Sequence, residues 1–350
     1  MSTTTQAQSH PTIGAIPLLK RWQLAVDTCN CPDIHQADFI TRWLVISRAC
    51  VFSMTFTSAL IGVLLAASIG AFAENTLFKI WLAFLCVVGL LAAHATNNLV
   101  NDWTDVRKGV DTEDYPRSQY SPHPILGGLT TPGNLLKGAL LFTLLDGIIM
   151  LYLASASGPL VIFFAVSGLV LSLGYTVFLK RYALGELTAL LVWGPLMTGG
   201  TVYAISSVIT PELLLMTLPY GLIVASVLIG KHTDKIENDR PVGVNSVPVL
   251  LGLGRSLILN KITFILFYAL IVGLVLAQIT GPWILITLLA LPRLWTAWKV
   301  YSQPKPAKKP DNWPVWPLWY VGWAMYFNRR AGGLFILGLI LNLVVPQVIR

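Results

Sequence analysis

Long unbroken apolar runs separated by short polar punctuation dominate the chain, and they set its architecture before any motif is sought. Runs of near-spanning length cover about 43–72, 77–100, 134–155, 157–178, 186–206, 210–230, 256–279, 281–300 and 332–349. A hydrocarbon core of about 30 Å needs about 20 helical residues to cross it, and each run approaches that length. Connections such as Ser155-Ala-Ser-Gly158 and Thr280-Gly-Pro282 are so short that only antiparallel helical hairpins satisfy the backbone in lipid. The pattern predicts an all-α, polytopic integral membrane bundle of about nine transmembrane helices, occupying 42–350 after an amino-terminal segment over 1–41. That first segment carries charges but no short apolar run ending in a small-residue cleavage site, so it is expected to be retained.

Composition sharpens this picture. Charged residues are 11% of the chain and apolar ones 55%, where a soluble domain carries about 25% charge; a soluble globule, a disordered tail and a disulfide scaffold are excluded. The net charge of +8 has a sided distribution: with the amino terminus in the cytoplasm, all 24 Lys and Arg except Lys79 and Arg350 fall in or beside cytoplasmic segments. The charge is thus an orientation signature and not a nucleic-acid footprint, since no basic run interleaves with aromatics in a soluble module. The expected location is a cell inner membrane, with the long loops facing the cytoplasm and membrane lipid around the spans. Cys29, Cys31, Cys50 and Cys86 read as free thiols, because Cys29, Cys31 and His35 give three local ligands where a structural zinc wants four. Trp313, Trp316, Trp319 and Trp323 follow a Lys- and Pro-rich stretch, a spacing that fits an interfacial helix.

Two loops concentrate the acids. At the end of the second run, Asn98, Asp102 and Asp105 stand at i, i+4 and i+7 and share one helical face, and beyond Gly109, which allows a reversal, Asp111 offers a further carboxylate. Oxygen ligands so stacked suit a hard cation. The sixth run ends in Lys231-His-Thr-Asp-Lys-Ile-Glu-Asn-Asp-Arg-Pro241, again mixing acids and bases. Two acidic clusters facing one another repel unless Mg²⁺ sits between them and a diphosphate supplies the remaining oxygens, with Lys180, Lys231, Lys235 and Arg240 neutralising the excess. A substrate that is both a diphosphate and a long hydrocarbon explains why such chemistry is built at a membrane surface.

At these residues the sequence closely resembles the UbiA superfamily of intramembrane prenyltransferases. Asn101-Asp-Trp-Thr-Asp105 matches its first signature, and Lys108-Gly-Val-Asp111 the continuation seen in the naphthoate branch. Tyr175-Thr-Val-Phe-Leu-Lys-Arg-Tyr-Ala-Leu-Gly-Glu186 with Trp193-Gly-Pro-Leu196 resembles that branch's middle stretch, and Asp239-Arg-Pro-Val-Gly243 with Pro248-Val-Leu-Leu-Gly252 its second signature. The resemblance covers about 40–349 and rests on three motifs in order. It implies nine helices around a central cavity and Mg²⁺ held through Asp102, Asp105, Asp111, Asp234 and Asp239. It also implies a diphosphate gripped by Asn98, Asn101, Lys180, Lys231, Lys235 and Arg240, and transfer of a polyprenyl chain to an aromatic or other lipophilic acceptor, such as dihydroxynaphthoate in menaquinone biosynthesis. Asp102, Asp105, Asp239 and Tyr175 are its catalytic candidates, Tyr175 through the attraction of its π face for a carbocation.

Two positions depart from the family pattern. The second signature usually places carboxylates at i and i+4, whereas Lys235 stands four before Asp239, with Asp234 one residue earlier. In one reading Asp234 supplies the missing ligand and Lys235 grips diphosphate; in the other Lys235 neutralises Asp239. His123 stands where the family often has Arg. Elsewhere, Asp146 reads as an interhelical hydrogen-bond or cavity group, His94 as a packing histidine and Glu186 as a helix cap. A cation-coupled transporter is the rival class, disfavoured because transporter sites sit near the midplane and these acids cluster at one face.

Overall fold

The computed structural model describes residues 16–177, 182–311 and 313–345; Lys180 lies outside the described residues. Among the described residues nine long apolar helices form the bundle: α1 (Ala49–Ser68), α2 (Thr76–Arg107), α3 (Pro132–Ser157), α4 (Leu160–Val177), α5 (Gly185–Ser206), α6 (Pro211–Asp234), α7 (Leu253–Leu276), α8 (Pro282–Val300) and α9 (Tyr320–Val344). Among the described residues, all but α4 are long and apolar enough to cross a membrane, and α4 is a shorter apolar helix.

Helix boundaries follow local chemistry. Thr131 and Thr210 cap α3 and α6 by accepting the N–H of Asn134 and Leu213, each followed by proline at the first helical position, where a missing N–H costs nothing. At 32 residues and about 1.5 Å per residue, α2 is about 48 Å long, so its last turns carry Asn101 to Asp105 beyond the hydrocarbon. Pro195 breaks the regular ladder of α5, which runs as a π-helix over Val192–Gly199. Within this stretch the Trp193 carbonyl accepts from the hydroxyls of Ser58 and Thr198 at 2.7 and 3.1 Å, polar ties that suit an irregular segment inside lipid.

Lipid tails are as apolar as leucine, so close backbone approach and polar ties hold the helices together. A Cβ on Gly221 of α6 would lie 2.6 Å from the Leu190 carbonyl oxygen of α5; only glycine permits that approach. Asn260 of α7 donates to the Ser226 carbonyl and the Tyr301 hydroxyl, which donates on to the Tyr320 carbonyl. At the opposite end of the bundle Lys79 donates to the Ile205 carbonyl at 2.6 Å. Leu140, Leu141 and Ile148 of α3 point outward and exposed, the face lipid covers.

Three expectations are corrected. The tryptophan-rich stretch is not an interfacial helix: α9 begins at Tyr320, well before 332, and the residues before it form turns, because Pro314 and Pro317 lack the N–H a helix needs. Trp313, Trp319 and Trp323 instead cluster, with ring centroids 4.6–5.7 Å apart. Cys29 is not a free thiol but is disulfide-bonded to Cys50, while Cys31 and Cys86 are free and buried. The amino-terminal segment also joins the bundle. Its helices Leu18–Thr28 and Phe39–Ile46 pack with α2 and α3 in one apolar cluster, and Asp27 to Cys29 line the central cavity.

Candidate functional site

A cavity of about 760 Å³ runs through the middle of the bundle. Met54, Val224, Val227, Trp193 and Trp323 form apolar wall, and Asn98, Asn101, Tyr175 and Lys231 mark its polar end. There it meets a small polar recess of about 40 Å³, whose lining shares Arg48, Asn101, Tyr120, Tyr175 and Lys231 with the cavity and adds Asp105, Asp111, Lys235 and His232. One compartment for hydrocarbon therefore abuts another for charge.

The first acidic loop builds one side. Gly109, with φ +69°, reverses the chain so that the N–H groups of Val110 and Asp111 both donate to the Asp105 carbonyl, and Asp111 returns beside α2. Oxygens of Asp102 and Asp111 and a ring nitrogen of His123 then lie within 4.8 Å of one another, all buried. Asp102 is already neutralised: Arg117 forks onto both carboxylate oxygens at 3.1 and 2.9 Å, and Arg48 adds a short contact. His123 accepts from the N–H groups of Ile125 and Leu126 through Nδ1, so Nε2 carries the proton and donates to Asp111 at 3.2 Å. In that tautomer His123 orients Asp111 and has no lone pair left for a metal. Burial works against the Asp111 charge, but the His123 hydrogen bond and the Arg48 and Arg117 charges hold its carboxyl below the ordinary value. Burial, helped by the positive charge of Arg117, brings the Arg48 guanidinium down to about 10.

The second loop builds the other side. Asp239 is fully buried, with Oδ1 accepting from Lys235 Nζ at 3.2 Å and from the Tyr115 hydroxyl. Lys235 also donates to the Tyr115 oxygen at 2.7 Å. Burial alone would lower the Lys235 ammonium, but Asp239 and Tyr115 raise it well above its ordinary value. Asp239 Oδ2 is buried with no hydrogen-bond partner among the described residues; an orphaned carboxylate oxygen costs several kcal/mol at the outside, roughly 1–3 typically, and a cation would complete it.

Of the predicted site residues, the structure brings Asn101, Asp105, Asp111, Tyr175, Lys231 and Lys235 to one recess, with Asp239 joined through Lys235 and Tyr115. Asn98 lines the cavity and donates to the Ser47 carbonyl at 2.9 Å. Two residues are not brought in. Arg240 is exposed and donates to the Val249 carbonyl at 3.5 Å. Asp234 turns the other way: its carboxylate accepts from the N–H groups of Tyr320 and Val321 at 3.0 and 2.9 Å, anchoring the start of α9. The reading of Asp234 as a ligand is revised to a cap, and Lys235 takes the second of its two arrangements, paired with Asp239.

Residue patterning missed Arg48, Arg117, Tyr115 and His232. Arg117, close after Asp111, Glu113 and Asp114, offered a local signal, whereas Arg48, 54 positions before Asp102, offered none. Glu186 is no simple cap; its Oε1 lies 2.7 Å from His232 Nδ1. His94 lines the cavity wall with Nδ1 2.7 Å from the Thr55 hydroxyl. Asp146 lines a side pocket of about 100 Å³ between α2, α3, α4 and α5, which shares His94, Asn97, Ser172, Val192 and Trp193 with the central cavity.

The class this defines is a helical membrane bundle whose apolar cavity ends in a recess of paired acids and bases. The chain belongs to the UbiA prenyltransferase family, whose model matches residues 58–328. It is 28% identical over 221 residues to UbiA prenyltransferase domain-containing protein 1 of Xenopus tropicalis, covering 61% of this chain and 62% of that one. With the 1,4-dihydroxy-2-naphthoate octaprenyltransferase of Haemophilus influenzae it shares 29% identity over 217 residues, 57% of this chain and 66% of the relative. The chain thus spans somewhat under two thirds of the length of these curated relatives. In fold it is similar to a UbiA homolog from Archaeoglobus fulgidus solved bound to DMAPP and Mg²⁺, with a TM-score of 0.53 at 14% identity over 84% of this chain and 99% of the other.

Proposed function

We propose that the chain transfers an isoprenoid from its allylic diphosphate to an aromatic acceptor, a naphthoate-type quinone precursor being the first candidate, in a Mg²⁺-dependent reaction at the cytoplasmic face of an inner membrane. The observation that carries this reading is the junction of the apolar cavity with the charged recess at Asn101, Tyr175 and Lys231. Family membership supports it, as does the naphthoate octaprenyltransferase among the relatives.

Charge balance argues for the cation. Among the described residues of the recess and its ion pairs, Asp102, Asp105, Asp111 and Asp239 are matched in number by Arg48, Arg117, Lys231 and Lys235, so these groups together bring no net positive charge to a multiply charged diphosphate. Asp105 and Asp111 on one side and Asp239, through its orphaned Oδ2, on the other would hold Mg²⁺. When bound, the metal polarises the diphosphate oxygens and stabilises the leaving group. Lys231 faces the head group, Arg48 and Arg117 hold Asp102 fixed so that the loop keeps its shape, and the wall of Trp193, Val224 and Val227 excludes water from the allylic carbon. Tyr175, at the junction, is placed to face that carbon.

The test is purified protein, Mg²⁺ and a labelled allylic diphosphate, offered dihydroxynaphthoate, hydroxybenzoate, homogentisate and a non-aromatic lipid alcohol. Prenylated aromatic product is expected. Asp105→Asn or Asp239→Asn should lower kcat at least about 100-fold, several kcal/mol of lost charge stabilisation, with the protein still inserted. Transfer to none of the acceptors overturns the reading.

A further inference from the structure

The arrangement around Tyr175 contains a chain of three groups that neither the metal chemistry nor the diphosphate contacts use. The Tyr175 hydroxyl lies 3.0 Å from His232 Nε2, and His232 Nδ1 lies 2.7 Å from Glu186 Oε1. The other Glu186 oxygen accepts from the Val247 N–H at 3.4 Å. Both His232 and Glu186 are buried. A carboxylate only accepts, so Nδ1 of His232 carries the ring proton and Nε2 turns its lone pair to the tyrosine hydroxyl. The tyrosine ring is fixed from behind, since a Cβ on Gly185 would lie 2.5 Å from Tyr175 Cε2. Three elements, α4, α5 and α6, thus supply one directed hydrogen-bond chain whose outer member lines both compartments.

We propose that Tyr175, His232 and Glu186 form a proton relay that takes the proton from the acceptor's hydroxyl as its ring carbon attacks the allylic carbon. The inference rests on the prenyl-transfer reading and supplies the base that reading lacks. Of the acids at the recess, Asp102 is engaged by two arginines, Asp111 by His123, and Asp239 by Lys235 and Tyr115, while Asp105 is assigned to the metal in the prenyl-transfer reading. In the step, the acceptor O–H bond breaks and its proton passes to the Tyr175 oxygen, while the tyrosine's own proton passes to His232 Nε2. The electron pair left on the acceptor oxygen enters the ring, the ring carbon bonds to the allylic carbon, and the allylic C–O bond breaks to release diphosphate. The imidazolium is held by Glu186. The ring carbon then loses its proton to the released diphosphate, or its carboxylate as carbon dioxide; the electron pair of the broken bond restores the ring, and the acceptor oxygen takes a proton back from Tyr175 as His232 Nε2 returns the tyrosine's own. Tyr175 is the catalytic member; His232 and Glu186 act through it. Facing the relay across the recess are Lys231 and Lys235 on its own side, Arg48 and Arg117, and Asp105, Asp111 and Tyr115 of α2 and the first loop.

The full-length chain is compared with Tyr175→Phe and His232→Gln, both close to isosteric, using the acceptor it prenylates best and a ring-fluorinated analogue with a more acidic hydroxyl. For each variant kcat should fall about 100- to 1,000-fold with the ordinary acceptor, in line with general base catalysis, and KM for the prenyl diphosphate should stay within about threefold of the unaltered value. With the fluorinated acceptor the loss should shrink to about tenfold or less, since an acceptor already ionised needs no base. A purely structural role would lower both acceptors' rates equally. Equal losses, or kcat retained in both variants, overturn the relay while the unaltered protein still turns over; an unaltered protein that prenylates nothing overturns the parent reading and the relay with it.

Discussion

Replacing Asp234 by alanine separates the two roles its position suggests. In the structure its carboxylate accepts from the first two N–H groups of α9, Tyr320 and Val321, donors that no intrahelical carbonyl can satisfy and that sit at the helix end where the dipole favours an anion. Losing a neutral cap costs about 0.5–2 kcal/mol, and hydrogen bonds to a charged acceptor are worth roughly 1.5–3 kcal/mol each. The two bonds share one acceptor, and the site is only partly buried, so the sum falls short of additivity; about 2–4 kcal/mol is expected. With roughly 2.1 cal/mol/K of unfolding entropy per residue over the 350-residue chain, the thermal midpoint drops by about 3–5 °C. Thermal unfolding in detergent reads the stability, and a Mg²⁺ titration of prenyl transfer reads the metal. The half-saturating Mg²⁺ concentration should stay within about twofold of the unaltered protein, less than the 1.4 kcal/mol that a tenfold change represents. An unchanged midpoint with a tenfold or greater shift in Mg²⁺ requirement, about 1.4 kcal/mol or more, would refute the cap and restore the metal-ligand assignment.

Three further outcomes follow from other contacts. Gly221→Ala forces a methyl against the Leu190 carbonyl of α5 and should destabilise the bundle by about 1–3 kcal/mol, read as a lower thermal midpoint; an unchanged midpoint would mean that α5 and α6 separate freely. Lys235→Ala leaves Asp239 buried without its ammonium and should destabilise the protein by roughly 3–5 kcal/mol, read as a lower thermal midpoint; an unchanged midpoint would mean that the pair does not hold the second loop. Single cysteines at Thr112 and Asn245, in a background lacking the four native ones, should resist an impermeant thiol reagent in intact cells, and labelling of either from outside would invert the proposed orientation.

The spans were legible because lipid leaves the backbone few choices, and the i, i+4, i+7 face of Asn98, Asp102 and Asp105 because helical periodicity alone brings it together. Gly109 signalled the reversal that returns Asp111. What sequence spacing could not show is pairing across the fold. Arg48 reaches Asp102 over 54 positions and Asp234 reaches Tyr320 over 86, so local patterning assigned Asp234 to the nearest acidic cluster. The start of α9 was hidden for a related reason: Arg329 and Arg330 depress the apolar signal of a helix that runs through them. His232 stood in plain sight within a basic and acidic run, yet nothing in its neighbours pointed to Glu186, 46 positions earlier.

The central claim is that a prenyl diphosphate lies with its tail in the 760 Å³ cavity and its head, with metal, between the two acidic loops. An experimental structure of the protein with a non-ionisable geranyl thiodiphosphate and Mn²⁺, the metal located by its anomalous signal, tests it most directly. The account predicts Mn²⁺ beside Asp105 and Asp111 and beside Asp239 Oδ2, with the isoprenoid running past Tyr175 toward Trp193 and Val227. Mn²⁺ at Asp234, or the isoprenoid bound outside this cavity altogether, would contradict it.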